Sequence, residues 1–488
     1  MLTLLSPADA QSLRDFLQAA CYTDLEFRKR PGLRELPARH SGNWPYLLDY
    51  TREPTVLNFL LRLFLFGIPL DRKLVSGIVP PGILSILLNS GLLHLEADQL
   101  QASVMLTPLD NHWFVADPLD RIKSAEANDF VLWANPTTRI LNQVSIRRHM
   151  KSILDLGAGC GVLSVLAAAN GDRIVATDLN PRAESFTHFN ASLNSITNIE
   201  TYTGDTFEPI KDQCFDLILA NPPFFVTPSS NQMYCENSMD LDQYCRRVVR
   251  EGATHLNDGG YLQMTFEWVQ VQGQSWQDRV AEWLDGTGCD AWILRGYTRD
   301  PASYAYERIK EEFSIDPERA TQKFTDWLEH YRRSNVEQIC GGLLSMRKRT
   351  GDNWLRIEEL PLHISEPIGE SVLSLFSTQT FLSTNPADEE LLKMKPRLAS
   401  GTKLQQSFAL TDHTWLPDGL NLTLSGGLPG TISIEFPVAE FLASCSGEST
   451  LHELIVAVAA KVNAPVDQVS QQCCSVVRKL AERRFLAL

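Results

Sequence analysis

The segment LILANPPFF ends an apolar run at Asn221, whose side chain carries both an accepting carbonyl oxygen and a donating NH₂ group. Pro222 and Pro223 have fixed φ angles and no N–H, so the backbone there is stiff and its carbonyls remain available as acceptors. Phe224 and Phe225 add flat apolar faces. The segment can therefore hold a planar nitrogen compound by its edge and its face. An ordinary strand-ending turn is the alternative interpretation.

A glycine-rich turn lies upstream, between the apolar run SILDLG and the helical run VLSVLAAAN. It reads Asp155-Leu-Gly157-Ala-Gly159-Cys-Gly161. Glycines between a strand and a helix let a ligand approach the backbone, and the following helix N-terminus favours negative groups. Asp155 precedes the first glycine, where its carboxylate can reach a cationic or amino group. The dinucleotide-binding fingerprint instead opens on glycines that meet pyrophosphate.

Two further acidic residues follow apolar runs. Asp178 ends RIVATD about 20 residues beyond the glycines, a spacing at which a carboxylate accepts both hydroxyls of a ribose. Gly204 and Asp205 follow the next run, where a carboxylate or the backbone can read an adenine amino group. With the glycine turn and Asn221, these residues all stand at strand ends. The carboxyl ends of parallel strands form the edge where open α/β sheets bind ligands.

The elements that position these residues alternate between short Ile-, Leu- and Val-rich runs and helical stretches from about 116 to 290. Runs without clean alternation predict strands covered on both faces, hence a parallel α/β sheet. Residues 301–338 are charge-rich and predict a helical insertion. The runs GLLSMRKR and NWLRIEEL then predict a closing antiparallel hairpin. We take 116–365 as one domain.

The flanks differ in composition. Residues 1–115 predict helices followed by a small hairpin, the outline of a winged-helix unit. No Arg/Lys-rich recognition helix stands out there, so packing or protein contact is favoured over nucleic-acid binding. Residues 366–400 contain Ser, Pro and Thr with weak periodicity and predict a linker. Residues 401–488 predict a small α+β domain of a few strands and two terminal helices, with Thr450 and Glu453 at capping-box spacing.

The totals describe an ordinary globular chain of 488 residues with a net charge of −15, which argues against a surface that is basic throughout. The 10 cysteines lack zinc spacing, so no metal site is expected, and scattered thiols fit a reducing interior. The start lacks the basic region of a signal peptide. The most apolar run, 56–70, contains Arg62 and predicts a buried helix rather than a membrane span. These features predict a cytoplasmic protein without membrane contact.

Several other residues are candidates for the site. Arg246, Arg247 and Arg250 have helical spacing, and a solvated helix face is favoured over phosphate contacts. Trp268 and Tyr304 fit either the border of an acceptor pocket or simple packing. The loop TPSSNQ after the elbow fits a substrate lid and a connector equally well.

The combination D155-L-G-A-G-C-G, D178, G204-D205 and N221-P-P-F resembles class I S-adenosylmethionine-dependent methyltransferases. More narrowly it resembles the group that methylates planar nitrogens in DNA adenine, ribosomal-RNA guanine and release-factor glutamine. The resemblance covers roughly residues 125–290. It implies a Rossmann-like sheet of seven strands, with small winged-helix-like domains fused at both ends, and S-adenosylmethionine as cofactor.

The resemblance also implies a set of cofactor contacts. The three glycines would pass beneath the methionine portion, with Asp155 near its amino group. Asp178 would hold the ribose and Leu179 would lie against the adenine. Asp205 and Thr206 would meet the adenine edge. The run Asn135-Pro-Thr-Thr138 would cover the cofactor.

For catalysis, the resemblance assigns Asn221, Pro222, Pro223 and Phe224. The Asn221 oxygen and the Pro222 carbonyl would each accept one N–H of the target NH₂, which stabilises charge developing on that nitrogen. Pro223 completes the rigid elbow. Phe224 would stack on the acceptor plane, a contact of ~1–3 kcal/mol if that plane is a base. No general base with a tuned pKa is required.

The expected acceptor is an exocyclic amine of a nucleic-acid base, with RNA favoured over DNA. Phe224 stands where release-factor enzymes typically carry Tyr, and a base would have to be splayed out to enter the pocket. The alternative is a glutamine amide in a translation protein, which the net charge of −15 keeps open. A non-catalytic cofactor-binding scaffold is a third reading. The intact glycines and Asn221 argue against it.

Overall fold

The central sheet forms from the short apolar runs, because a backbone buried on both faces must satisfy its N–H and C=O groups in a ladder. Eight strands lie in the order β13-β11-β12-β10-β9-β6-β7-β8. Their bounds are Met150–Leu156 (β6), Gly171–Asp178 (β7), Ile199–Thr203 (β8), Phe215–Ala220 (β9), Leu256–Val271 (β10), Cys289–Arg299 (β11), Val336–Lys348 (β12) and Leu355–Glu359 (β13). The predicted α/β, Rossmann-like class is confirmed, with one strand more than the expected seven.

The direction of the strands places the candidate residues together. Strands β6 to β10 pair in parallel, whereas β12 runs antiparallel to both β10 and β11. The chain builds outward through β7 and β8 and then crosses to β9 on the other side of β6. Such a switch point opens a crevice at the carboxyl ends of the strands. Leu156 pairs with Ala220, so the glycine turn and Asn221 leave the sheet side by side.

The predicted closing hairpin does not form as expected. Strand β11 lies between β12 and β13, and the Ala291 N–H donates to the Trp354 carbonyl. The described part of this region contains seven α-helices, and the last two lie between β11 and β12, in the stretch 301–338 for which the sequence predicts an insertion. They are Pro136–Val144 (α7), Val162–Ala167 (α8), Pro181–Leu193 (α9), Gln243–Thr254 (α10), Trp276–Leu284 (α11), Pro301–Ile309 (α12) and Pro317–Arg333 (α13).

The N-terminal segment contains helices and short hairpins. The helices are Pro7–Ala19 (α1), Asp24–Lys29 (α2), Trp44–Tyr50 (α3), Val56–Leu60 (α4), Arg72–Ser76 (α5) and Pro81–Asn89 (α6). The strands are Leu70–Asp71 (β1), Leu93–Glu96 (β2), Gln99–Ala102 (β3), Met105–Leu109 (β4) and His112–Ala116 (β5), and β1, β3 and β2 form one small sheet. The winged-helix interpretation stays a prediction.

This segment packs on α9, the helix that follows Asp178. Asn190, fully buried on α9, exchanges hydrogen bonds of 2.8 and 2.9 Å with the backbone of Val115 and donates to the Cys160 carbonyl at 2.7 Å. Arg14 donates to the Leu193 carbonyl at 2.6 Å. Residues 1–142 and 148–358 accordingly form one compact unit. The predicted boundary near 115 stays a prediction.

A second compact unit comprises residues 143–147 and 359–488. Its helices are Gly369–Thr384 (α14), Asp388–Lys393 (α15), Phe436–Ala443 (α16), Leu451–Val462 (α17) and Val466–Glu482 (α18). Its strands are Arg397–Leu398 (β14), Thr402–Thr411 (β15), Thr414–Leu424 (β16), Gly430–Ser433 (β17) and Leu486–Ala487 (β18). The capping box at Thr450 and Glu453 is present, as its spacing predicts.

The segment read as a linker differs from that expectation. It contains α14 and α15, and Leu382 and Leu391 belong to the apolar core of the second unit.

A computed structural model describes most of the chain, namely residues 2–29, 44–118, 121, 127–228, 235–360, 364 and 367–488. Part of the loop TPSSNQ, residues 229–232, lies outside these ranges. Within them, no helix combines the length and the apolar character that crossing a bilayer requires. Over the same ranges, no cluster of His, Cys, Asp and Glu is placed to hold a metal ion.

Candidate active site

The glycine turn has a backbone that only glycine adopts readily. Gly157, Gly159 and Gly161 all have φ between +56° and +75°. A Cβ on Gly161 would lie 2.8 Å from the Thr187 side chain, and one on Gly157 would lie 3.8 Å from the Pro222 Cα. The turn therefore brings the backbone after β6 against the elbow after β9.

Asp155 lies under this turn with its side chain buried. Its Oδ2 accepts hydrogen bonds from the Ser164 N–H at 2.8 Å and from the Ser164 hydroxyl at 2.6 Å. Among the described residues, no group donates to its Oδ1. Burial raises the pKa of the Asp155 carboxyl to about 6, against the lowering effect of both Ser164 hydrogen bonds. Asp155 thus offers one unused oxygen to a ligand that carries a donor.

Asp178 ends β7 and is anchored from both sides. Its Oδ2 accepts the Gly159 N–H and its Oδ1 the Asn180 N–H, both at 2.8 Å. Burial raises the pKa of this carboxyl, and the two N–H donors oppose that rise. Each oxygen keeps a second lone pair, so the carboxylate can still accept two hydroxyls. Leu179, next along the chain, is 53% exposed.

Asp205 and Thr206 follow β8. Asp205 forms an ion pair with Arg247 of α10, with 2.8 Å between Oδ2 and the guanidinium nitrogen. Thr206 is buried with a φ of +47°, and within the described ranges its hydroxyl has no hydrogen-bond partner. The preference for a solvated helix face is therefore wrong for Arg247, which turns toward the strand ends. Arg250 instead donates to main-chain carbonyls at the C-terminal end of α11.

Asn221 lies at the rim with both ends of its amide fixed. Its Nδ2 donates to the Thr138 hydroxyl at 2.9 Å, and its Oδ1 accepts from the Thr265 hydroxyl at 2.6 Å. Thr138 in turn donates to Asn135 Oδ1 at 2.9 Å. This chain of donors and acceptors orients the amide unambiguously, and the Asn221 oxygen keeps a lone pair for an incoming N–H.

The rest of the elbow is partly occupied by the protein itself. The Pro223 carbonyl accepts a hydrogen bond of 2.8 Å from Asn237. Phe224 is 9% exposed and packs in the core of the sheet, edge-on to Phe225 with 5.5 Å between ring centroids. The stacking of Phe224 on the acceptor plane therefore stays a prediction. It requires that more of the Phe224 ring become exposed.

A cavity of about 350 Å³ collects most of these residues. The predicted residues that line it are Thr138, Asp155, Gly157, Gly159, Asp178, Leu179, Gly204, Asp205, Thr206, Asn221 and Pro223. Gly161, Pro222 and Phe224 are not among the lining residues. The cavity has the size of a small-molecule site.

Sequence reasoning missed one wall of the cavity, residues 130–133. The preceding Asp129 carbonyl accepts from Asn180 at 2.7 Å and from Arg182 at 2.8 Å. Arg182 also forms an ion pair of 2.7 Å with Asp117. Residues 130–133 precede the first strand of the sheet. They could therefore not be predicted from a position at the end of a strand. Glu236, between the elbow and α10, and Tyr244 of α10 also line the cavity and carry no local signal, whereas Arg247 of α10 is one of the three candidate arginines.

The comparisons with known proteins concern the same part of the chain. Residues 134–272 match the family model described as Methyltransferase small domain. A release factor glutamine methyltransferase of Geobacter sulfurreducens is 30% identical over 148 residues, covering 27% of this chain and 51% of that protein. A tRNA1(Val) (adenine(37)-N6)-methyltransferase of Actinobacillus pleuropneumoniae is 32% identical over 140 residues, covering 28% of this chain and 54% of that protein. The chain thus spans about half the length of these curated relatives.

Among solved structures, a ribosomal protein L11 methylase of Lactobacillus delbrueckii subsp. bulgaricus aligns with a TM-score of 0.25 and 19% identity. The alignment covers 33% of this chain and 69% of that one.

The cavity fits the cofactor of such enzymes. Three buried polar atoms on its lining residues have no partner within the described ranges, namely Asp155 Oδ1, Thr177 Oγ1 and Thr206 Oγ1. S-adenosylmethionine carries an ammonium group, two ribose hydroxyls and an adenine amine, which are donors for these oxygens and for Asp178. Buried polar groups are normally hydrogen-bonded, so these atoms call for a polar ligand. The region around residues 134–272 is a class I S-adenosylmethionine-dependent methyltransferase domain.

Proposed function

We propose that the chain transfers a methyl group to an exocyclic amine of a nucleic-acid base, with RNA favoured over DNA. The observation that carries transfer to a planar NH₂ group is the fixed amide of Asn221, which lines the cofactor cavity and offers its oxygen in one orientation. The relative from Actinobacillus, which by its name acts on an adenine amine in tRNA, supports the same acceptor class.

The cofactor supplies a methyl group that its sulfonium already activates, so the residues have to prepare the acceptor. The lone pair of an sp² amine is delocalised into the ring. The Asn221 oxygen and the Pro222 carbonyl would each accept one N–H of that amine, which orients the nitrogen and stabilises its developing positive charge. Thr138 and Thr265 hold the Asn221 amide and the two prolines stiffen the backbone, so alignment would add to the rate.

The cofactor contacts in this proposal follow the geometry of the cavity. Asp155 would accept from the ammonium group with its unpartnered Oδ1. Asp178 would bind the ribose hydroxyls, and Leu179 would cover the adenine with its exposed side chain. Thr206, with its unpartnered hydroxyl, and Asp205 would meet the adenine edge.

A glutamine amide in a translation protein is the second candidate acceptor. An amide presents the same planar NH₂ group to the Asn221 oxygen, and the Geobacter relative is by its name a release factor glutamine methyltransferase. The net charge of −15 suits an interface with a protein better than a broad one with RNA.

Tritiated S-adenosylmethionine separates the two acceptors. The wild-type chain and Asn221→Ala are incubated with total cell extract, and the labelled product is digested with ribonuclease or protease. We expect label that ribonuclease releases, and roughly 10²- to 10³-fold less of it with Asn221→Ala. Protease-sensitive label would replace the RNA proposal by the glutamine one. Tight cofactor binding without label in RNA or in protein would favour the non-catalytic cofactor-binding scaffold.

A further inference from the structure

A second buried polar cluster lies behind the elbow and outside the cofactor cavity. Its centre is Glu267 of β10, whose side chain is fully buried. One carboxylate oxygen accepts hydrogen bonds from Arg308 and from the Tyr297 hydroxyl, and the other accepts from the Tyr304 hydroxyl. Burial raises the pKa of both tyrosines well above the ordinary value, so both remain protonated donors.

The cluster is joined directly to the residues that follow the Asn-Pro-Pro-Phe elbow. The Val226 N–H donates to Glu267 Oε2 at 3.3 Å and to the Tyr304 hydroxyl at 3.1 Å. The Val226 carbonyl accepts from the Tyr331 hydroxyl at 2.6 Å. The Arg308 guanidinium lies 3.6 Å from the centroid of the Phe225 ring. Both backbone groups of Val226 and the ring of Phe225 are therefore held from one side.

The sheet makes room for this cluster. Gly341 of β12 pairs with both Glu267 and Tyr297, and a Cβ at Gly341 would lie 2.5 Å from the Tyr297 ring. Only glycine lets that ring cross the strand and reach the carboxylate. A buried carboxylate is costly unless it is paired and hydrogen-bonded, and a satisfied network of this kind rigidifies what it touches. The arrangement is thus suited to fixing a backbone segment.

Three of the residues that hold Glu267 or Val226 come from the helices between β11 and β12. Tyr304 and Arg308 lie on α12 and Tyr331 lies on α13. Phe225 lies four residues beyond Asn221, so its position limits where the elbow can sit. Glu267 and its partners do not line the cavity. They can act on the elbow without contacting the cofactor.

We propose that Tyr304, Tyr331 and the Glu267–Arg308 pair are positioning residues that use the helical insertion to fix the elbow against the cofactor cavity. The effect on methyl transfer rests on the proposed function, whereas the effect on the backbone at Val226 does not. The inference assigns a role in the reaction to α12 and α13, which contribute no residue to the cavity lining.

The test uses Tyr304→Phe and Tyr331→Phe in the full chain, with Tyr306→Phe as matched control. Tyr306 lies on the same helix as Tyr304 but is 52% exposed. Each variant removes one hydroxyl and keeps the ring. Three quantities are measured: amide hydrogen exchange at Val226, the Kd for S-adenosylmethionine by calorimetry, and the single-turnover rate of tritium transfer to total cellular RNA.

We expect faster exchange at Val226 in Tyr304→Phe and Tyr331→Phe, transfer slowed by roughly 10- to 100-fold, and an unchanged cofactor Kd. Tyr306→Phe should match the wild type in all three. Unchanged exchange at Val226 in both variants overturns the proposal, as does faster exchange with an undiminished transfer rate. A loss of cofactor affinity equal to the loss of rate shows general destabilisation and also overturns it. If the wild type labels no RNA, the proposed function fails and the exchange measurement alone decides.

Discussion

Thr265→Val tests whether the orientation of the Asn221 amide matters for methyl transfer. Thr265 is 3% exposed and lies on β10 opposite Leu343. Valine has nearly the same shape and favours strands, so the fold should persist. The substitution removes the hydroxyl that donates to Asn221 Oδ1 at 2.6 Å and leaves the bond to Thr138.

The size of the effect follows from that one hydrogen bond. A typical net contribution is about 1 kcal/mol, and up to about 2 kcal/mol where the remaining partner is poorly solvated. If the hydrogen bond stabilises the amide orientation that the transition state requires, its loss lowers the rate of methyl transfer by about 5- to 30-fold. Thr265 does not line the cavity, so the cofactor Kd should not change.

The assay is single-turnover transfer of tritium from S-adenosylmethionine to total cellular RNA, alongside calorimetric titration with the cofactor. Thr265→Ser, which retains a hydroxyl, should recover most of the wild-type rate. A wild-type rate in Thr265→Val would refute the reasoning, because the amide would then need no support from β10. A rise in cofactor Kd that matches the fall in rate would do the same, since the defect would lie in binding.

Two further predictions concern the carboxylates of the cavity. Asp178→Ala removes the acceptor of two N–H groups and the proposed ribose contact. Calorimetry should therefore show a cofactor Kd raised by roughly 10- to 150-fold. Asp172→Ala, at the exposed start of the same strand, should leave the cofactor Kd unchanged. Burial raises the pKa of Asp155 to about 6, so the folded protein holds that proton more tightly than the unfolded chain. Asp155 therefore contributes stability at low pH of up to about 3 kcal/mol, which is lost as the pH rises through about 6. Urea unfolding at pH 4 and pH 7.5 should show that the wild type loses this part of its free energy of unfolding and that Asp155→Asn does not. The same pH dependence in the wild type and in Asp155→Asn would contradict this prediction.

The convergence of the glycine turn, Asp178 and Asp205 on one cavity can be predicted because these parts are local in sequence. Gly157 and Gly159 follow the end of β6, Asp178 ends β7, and Asp205 follows β8. In a parallel sheet the chain itself brings such positions to one edge. The sheet order then sets Asn221 beside the glycines without any further signal.

The support for Asn221 was not predictable in the same way. Thr265 lies 44 residues away on β10, and the interior of that strand gives no sign that one hydroxyl points at the rim. From the sequence, Trp268 and Tyr304 fit either the border of an acceptor pocket or simple packing. Trp268 is fully buried between Phe266 and Trp276, whereas Tyr304 is buried yet hydrogen-bonded to the segment after the elbow. Contacts of this kind depend on sheet register and on the insertion.

The selection of the acceptor cannot reside in the Asn221 amide alone. A base amine and a glutamine amide both present a planar NH₂ group, and one carbonyl oxygen accepts from either equally well. A base also needs a flat apolar surface, and the nearest predicted one, Phe224, is 9% exposed. Its neighbours Phe225 and Val226 are held by Arg308, Tyr304 and Tyr331, so exposing the ring has to come from rotation of Phe224 itself. A glutamine amide needs no such rotation. The choice between the two acceptors therefore rests on the freedom of the Phe224 ring.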